Sequence, residues 1–136
     1  MRRLFNLIRP VALGASLVML SGCDKGTGEV SGTVTYNGAP LPGGIVTFIA
    51  ENGRVEPARI GEDGSYKVTN VPVGPVRITV TTPAPLQFPG REPQELLGKY
   101  VAIPKRYGEA EDSGFTFEVK KGSQRYDLPL YDGAAP

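Results

Sequence analysis

The sequence predicts an all-β protein, a seven-stranded antiparallel β-sandwich preceded by an N-terminal signal peptide. Three observations predict it. Aromatic and β-branched residues return at every second position in short runs. Gly, Pro, Asn-Gly and Asp-Gly turns separate those runs. About seven such runs fit within the length of one domain. The 18 glycines and 13 prolines alone would suit a disordered chain, but the apolar residues keep register on one face, as a packed strand requires.

Residues 1–22 stand apart from that domain. Arg2, Arg3 and Arg9 make a basic start without an acid, an apolar run follows over 11–20, and Ser21 and Gly22 precede Cys23. This is the layout of a secretory signal. As a helix the run would rise only about 15 Å, half the hydrocarbon thickness, so a permanent span is not expected. It also has no polar face to turn to water, which argues against a buried amphipathic N-terminal helix. Removing 1–22 leaves 114 of the 136 residues; 12 Lys and Arg then face all 14 acids. A slightly acidic domain without a basic stripe gives no electrostatic reason to bind nucleic acid.

Cys23 is the only cysteine, so no disulfide can form within the chain. Leu20-Ser21-Gly22-Cys23 resembles the lipobox of bacterial lipoproteins: an aliphatic residue, two small ones, then Cys. The resemblance implies cleavage before Cys23, a diacylglycerol thioether on its sulfur and a further acyl chain such as palmitate on the new N-terminus. Two or more chains matter, because each buried CH₂ contributes about 0.8 kcal/mol and a single chain binds only marginally. The expected location is the cell envelope, lipid-anchored and facing the periplasm or exterior. Asp24 fits a pattern that, in some lineages, retains lipoproteins at the inner membrane; inner and outer membrane both stay open.

Residues 23–29 read as a short lipidated tether, polar and Gly-rich. The domain is expected over 30–132. Val30, Val34 and Tyr36 share one strand face, with Ser31, Thr33 and Thr35 on the other. Asn37-Gly38-Ala39-Pro40-Leu41-Pro42-Gly43-Gly44 is a long turn leading to a second strand over 45–50, which the pattern pairs with the first as a hairpin. A short third strand is expected over 58–61 and a fourth over 66–69, after the turn Glu62-Asp63-Gly64-Ser65. The fifth, over 76–82, points Val76, Ile78 and Val80 one way and Arg77, Thr79 and Thr81 the other. The last two, over 115–119 and 126–130, read as a hairpin through Lys120-Lys121-Gly122-Ser123. Pro129 lacks a ladder donor and should lie at an edge or near a strand end. Between them, 83–113 is an irregular insert of the kind that is usually functional or partly disordered. Pro93 at a first turn would start a short helix over 93–99.

The run from Val30 through Phe48, with its Gly32-Thr33-Val34 strand, its Gly38-Ala39-Pro40-Leu41-Pro42-Gly43 turn and its Val46-Thr47-Phe48 strand, resembles the opening of carboxypeptidase-regulatory-like domains. Asp63-Gly64-Ser65-Tyr66 is similar to that family's D-G-x-Y turn, and Val71-Pro72-Val73-Gly74 to the turn before its last common strand. Ile103-Pro104-Lys105-Arg106-Tyr107 and Ser113-Gly114-Phe115-Thr116 are similar to short bacterial lipoproteins of the same type. The resemblance implies a prealbumin-like (transthyretin-like, Ig-like) sandwich. In the carboxypeptidases this domain sits beside the catalytic one and performs no chemistry. Elsewhere it is an extracellular module, sometimes linked to carbohydrate binding or outer-membrane transport. No peptidase domain is read in this chain, so the family name is not expected to denote an activity.

The absence of histidine removes Ser-His and Cys-His nucleophiles and His-based zinc sites. Glu109, Glu111 and Asp112 are the nearest candidates for a carboxylate hydrolase or for calcium, but they lack ordered ligand spacing, and a solvated acidic loop accounts for them. No catalytic residue, cofactor or metal is therefore expected. Candidate ligand contacts are the aromatics of the irregular region, Phe88, Tyr100 and Tyr107, with Tyr131 beside them. The absence of Trp weakens a sugar-stacking platform. The expected function is a non-enzymatic, lipid-anchored envelope module with a binding or structural role, its partners the membrane and an envelope protein or polysaccharide. The alternative is a carbohydrate-binding lipoprotein that uses the 83–113 loop.

Overall fold

Ten residues of unbroken alternation form the longest strand, β1 (Thr27–Tyr36), and the rest of one sheet assembles around it. A computed structural model describes residues 26–133. The signal segment and its Leu20, Ser21, Gly22 and Cys23 lie outside the described residues. β1 begins at Thr27, so Thr27, Gly28 and Glu29, read as the end of the tether over 23–29, belong to the sheet.

Two sheets face each other. In the first, β1 pairs antiparallel with β2 (Ala39–Pro40) and β5 (Ser65–Pro72). It also pairs with β8 (Gly122–Arg125) and β9 (Leu128–Leu130), and both of these run parallel to it. The second sheet has the order β4 (Val55–Arg59), β3 (Ile45–Ala50), β6 (Gly74–Thr81), β7 (Phe115–Val119), all antiparallel. Val30, Val34, Val68, Val71, Leu128 and Leu130 from one sheet meet Val46, Phe48, Val76, Ile78, Val80 and Val119 from the other. Phe48 packs against Tyr66 across the gap, ring centroids 6.1 Å apart and tilted 40°. Burial of a side chain of that size contributes about 1.5–3 kcal/mol.

The sandwich is all-β as expected, with nine strands rather than seven and not wholly antiparallel. One extra strand is β2. Asn37 and Gly38, both at positive φ (51° and 86°), close a two-residue turn that returns the chain on β1. β1 and β3 therefore form no hairpin; after β2 the chain crosses at the fully buried Leu41 to the other sheet. The other extra strand comes from the C-terminal segment, in which β8 and β9 keep one register against β1 and are parted by a break in the ladder at Tyr126 and Asp127. β7 and β8 form no hairpin either, because they belong to different sheets. Gln124 holds the crossing turn, its Oε1 accepting from Lys120 N at 2.8 Å and its Nε2 donating to Lys120 O at 2.6 Å.

The third strand, expected over 58–61, lies at Val55–Arg59 instead. A tight turn with Gly53 at φ 83° brings it back on β3 as an edge, where Pro57 costs no ladder bond. The fourth extends to Pro72 through a bulge opposite Glu29, with Asn70 at φ 57°; the extra residue lets both Val68 and Val71 point inward. No helix forms at Pro93. Gln94 exchanges both backbone bonds with Leu86, at 2.9 and 3.0 Å, and is extended. The only helical turn among the described residues is a 3₁₀ turn at Lys105–Gly108. Pro129 sits in β9, which pairs only with β1 and so forms an edge.

Candidate functional site

The connection from β6 to β7 carries the candidate residues, and two glycines fix its root. Gly43 and Gly98 bridge, and Gly44 N donates to Leu97 O at 2.8 Å. A Cβ on Gly43 would lie 2.4 Å from Leu97 O, and one on Gly98, at φ 79°, would lie 2.8 Å from Pro42 O. Only glycine lets these two backbones approach so closely. Arg59 reaches Leu96 O at 3.5 Å from the neighbouring edge strand. Beyond that root Leu86, Phe88 and Leu96 are exposed (44%, 44% and 45%).

The candidate aromatics part company. Phe88 and Tyr100 are exposed, and Tyr100 lines an open depression of about 420 Å³ with Thr82, Ile103, Lys105 and Glu109. Tyr107 is buried, its ring stacked on Phe115 at 5.8 Å and covered by the Arg106 guanidinium 4.7 Å from its centroid. Its hydroxyl accepts from Tyr131 N at 2.9 Å and donates to Tyr131 O at 3.2 Å. Tyr107 thus serves the core and the C-terminal segment, and Phe88 and Tyr100 are the rings left open to a ligand.

A second cluster closes the same end of the molecule. Tyr36 donates to Asp132 Oδ1, Asn37 Nδ2 donates to Asp132 Oδ2 at 3.0 Å, and Asp132 N donates to Asn37 Oδ1 at 3.2 Å. These bonds, the one from Tyr36 foremost, hold the Asp132 carboxyl below its ordinary range, while the same contact pushes the Tyr36 hydroxyl up. Arg106 adds a bond to Tyr131 O at 2.7 Å. The sequence signal for this latch was faint: Asn37 reads as turn chemistry and Asp132 as a polar end.

Of the acids, Glu109 is pushed up by the neighbouring Asp112 carboxyl, and Glu109, Glu111 and Asp112 are all exposed. Ser113, which follows them, is buried and donates to Ile78 O at 2.7 Å, pinning the loop to β6. Among the described residues no three carboxylates are grouped to hold a metal ion. The Asp63 carboxyl is held low by Ser65, whose hydroxyl and backbone N–H both donate to it, so the Asp63-Gly64 turn is occupied with its own closure.

Fold and loop together define a small two-sheet sandwich with one long connection rooted at a single end. The chain belongs to the carboxypeptidase regulatory-like domain family, whose profile matches residues 29–101. A comparison with curated proteins returns no match. Among solved structures the chain is similar to a DUF3823 family protein from Bacteroides ovatus, with 17% identity and a TM-score of 0.46 over 76% of this chain and 44% of that one. A DUF3823 family protein from Parabacteroides merdae gives 15% identity and 0.46, covering 79% and 47%. BcpA, the major pilin subunit of Bacillus cereus, gives 14% and 0.46, covering 79% and 30%. The chain therefore spans less than half the length of each.

Proposed function

We propose that this protein is a non-enzymatic, lipid-anchored module of the cell envelope, tethered at Cys23, that presents its 83–113 loop to a binding partner. The observation that carries this reading is the polarity of the sandwich. Gly26 lies at one end, where its carbonyl accepts from Val73 N at 3.1 Å beside the start of β6. The loop leaves from the opposite end of β6 and is rooted at Gly43. Ten residues of β1 set these ends about 30 Å apart. A lipid on Cys23 would therefore turn the loop away from the bilayer. The non-enzymatic part is supported by the lack of histidine, by the exposure of the only acidic cluster in the loop, and by a family match made of turn and core positions.

Fatty-acid labelling and membrane fractionation of wild type and Cys23→Ser test the anchor. Wild type should carry label and sediment with membranes, and the variant should do neither while keeping its β circular dichroism. A Cys23→Ser protein that remained in the membrane fraction would refute the reading.

Exposed Phe88 and Tyr100 favour a second reading, carbohydrate as the partner. The depression beside Tyr100 adds Thr82, Lys105 and Glu109 as hydrogen-bonding groups around an aromatic ring. Retention on envelope polysaccharide that Phe88→Ala and Tyr100→Ala leave unchanged would remove it.

A further inference from the structure

We infer that the amino-terminal end of the sandwich rests on the membrane surface, with Lys120 and Lys121 against anionic lipid headgroups; this rests on the proposed anchor at Cys23. Gly26 is three residues beyond Cys23, a reach of at most about 11 Å for extended chain. That is close to the distance, about 8–10 Å, over which a surface charge is felt in physiological salt. The end of the sandwich thus has no room to stand clear of the headgroups.

The groups that meet the surface are set by the turn between β7 and β8. A Cβ on Gly26 would lie 2.7 Å from Lys121 Cε, so the Lys121 stem runs alongside the residue nearest the anchor. Gln124 clamps the Lys120 backbone from both sides, which fixes the turn. Both lysines are exposed, and neither forms an ion pair among the described residues. Three other cations are engaged: Lys67 with Glu29 at 3.2 Å, Arg54 with Glu56 at 2.7 Å, and Arg125 with Asp127 at 3.3 Å. Glu51, Glu118 and Arg77 share this end of the sandwich, so its net charge is small and the contact centres on the lysine turn. Cationic side chains beside a lipid anchor add to membrane attachment when the leaflet is anionic.

The test uses the full lipidated chain reconstituted in phosphatidylglycerol-containing vesicles, in neutral phosphatidylcholine vesicles and in detergent. Amine acetylation is read residue by residue by mass spectrometry. Lys99 and Lys105, in the loop at the far end, serve as internal standards. Relative to them, Lys120 and Lys121 should react at least five-fold more slowly in anionic vesicles than in detergent, and neutral vesicles should give less protection. Equal reactivity in detergent and anionic vesicles overturns the inference, and equal protection in both vesicle types overturns its electrostatic part. A chain without lipid on Cys23, or one that fails to float with vesicles, overturns the anchor and this inference with it. A lipidated, floating chain with unprotected lysines overturns the inference alone.

Discussion

Gly32 and Tyr66 illustrate how single residues make the last strand possible. At the break between β8 and β9 the Tyr126 carbonyl points at β1, where a Cβ on Gly32 would lie only 2.1 Å from its oxygen. The buried Tyr66 hydroxyl donates to that same oxygen, and burial pushes its pKa up. On the other edge of the gap, Asp127 Oδ1 accepts from Thr33 N at 2.9 Å and replaces a missing ladder bond. Tyr66→Phe should therefore cost about 1–3 kcal/mol in urea unfolding, because a buried carbonyl loses its partner. Gly32→Ala should cost at least as much, since its clash is with backbone that cannot rotate away. The latch at Asp132 gives a pH dependence. A carboxyl held below its ordinary value of 3.8 contributes stability that is present above that value and lost as pH falls through the lowered one. Tyr36, raised above 10.0, contributes on the other side, with stability lost as pH rises through its raised value. In Tyr36→Phe the Asp132 carboxyl should titrate at higher pH, as NMR of the side-chain carbon would record.

At the scale of elements, the loop root is the place where a small change should have a local effect. Gly98→Ala places a methyl 2.8 Å from Pro42 O at a positive φ, so the bridge to Gly43 should open. Proteolysis at Arg91 and Lys99 should then speed up several-fold while the unfolding midpoint of the sandwich moves little. Such a result would show that the loop is docked on the core and is no part of it. The strands near 30–36, 45–50, 76–82 and 115–119 were legible in the sequence because alternating Val, Ile, Phe and Thr leave few other ways to bury one face. Their partners were not. A glycine turn such as Lys120-Lys121-Gly122-Ser123 has the same composition whether the chain returns to its neighbour or crosses to the opposite sheet. Asn37-Gly38 closed a hairpin, but with two residues of β2 instead of with β3. The candidate site was legible to the same degree. The loop stood out by its lack of alternation, but Phe88, Tyr100 and Tyr107 look alike in sequence. What separates them is the Phe115 ring and the Tyr131 backbone, which reach Tyr107 from elsewhere in the chain.

For the whole molecule, the first and last strands lie side by side. The register Gly28↔Gly122 continues to Tyr36↔Leu130, so the C-terminal segment lines almost the whole of β1. Truncation before Leu128 should therefore expose Val30 and Val34 and abolish cooperative unfolding, as calorimetry would show. The two strands are also parallel, so the chain enters at one end of the sandwich and leaves at the other. With the anchor proposed above, a pull between the amino-terminal end and the opposite end of the sandwich would load their hydrogen bonds in shear, all at once, instead of peeling them one by one. Such a joint gives way only when its whole length fails together, and the sandwich would bear tension between a membrane and whatever it holds.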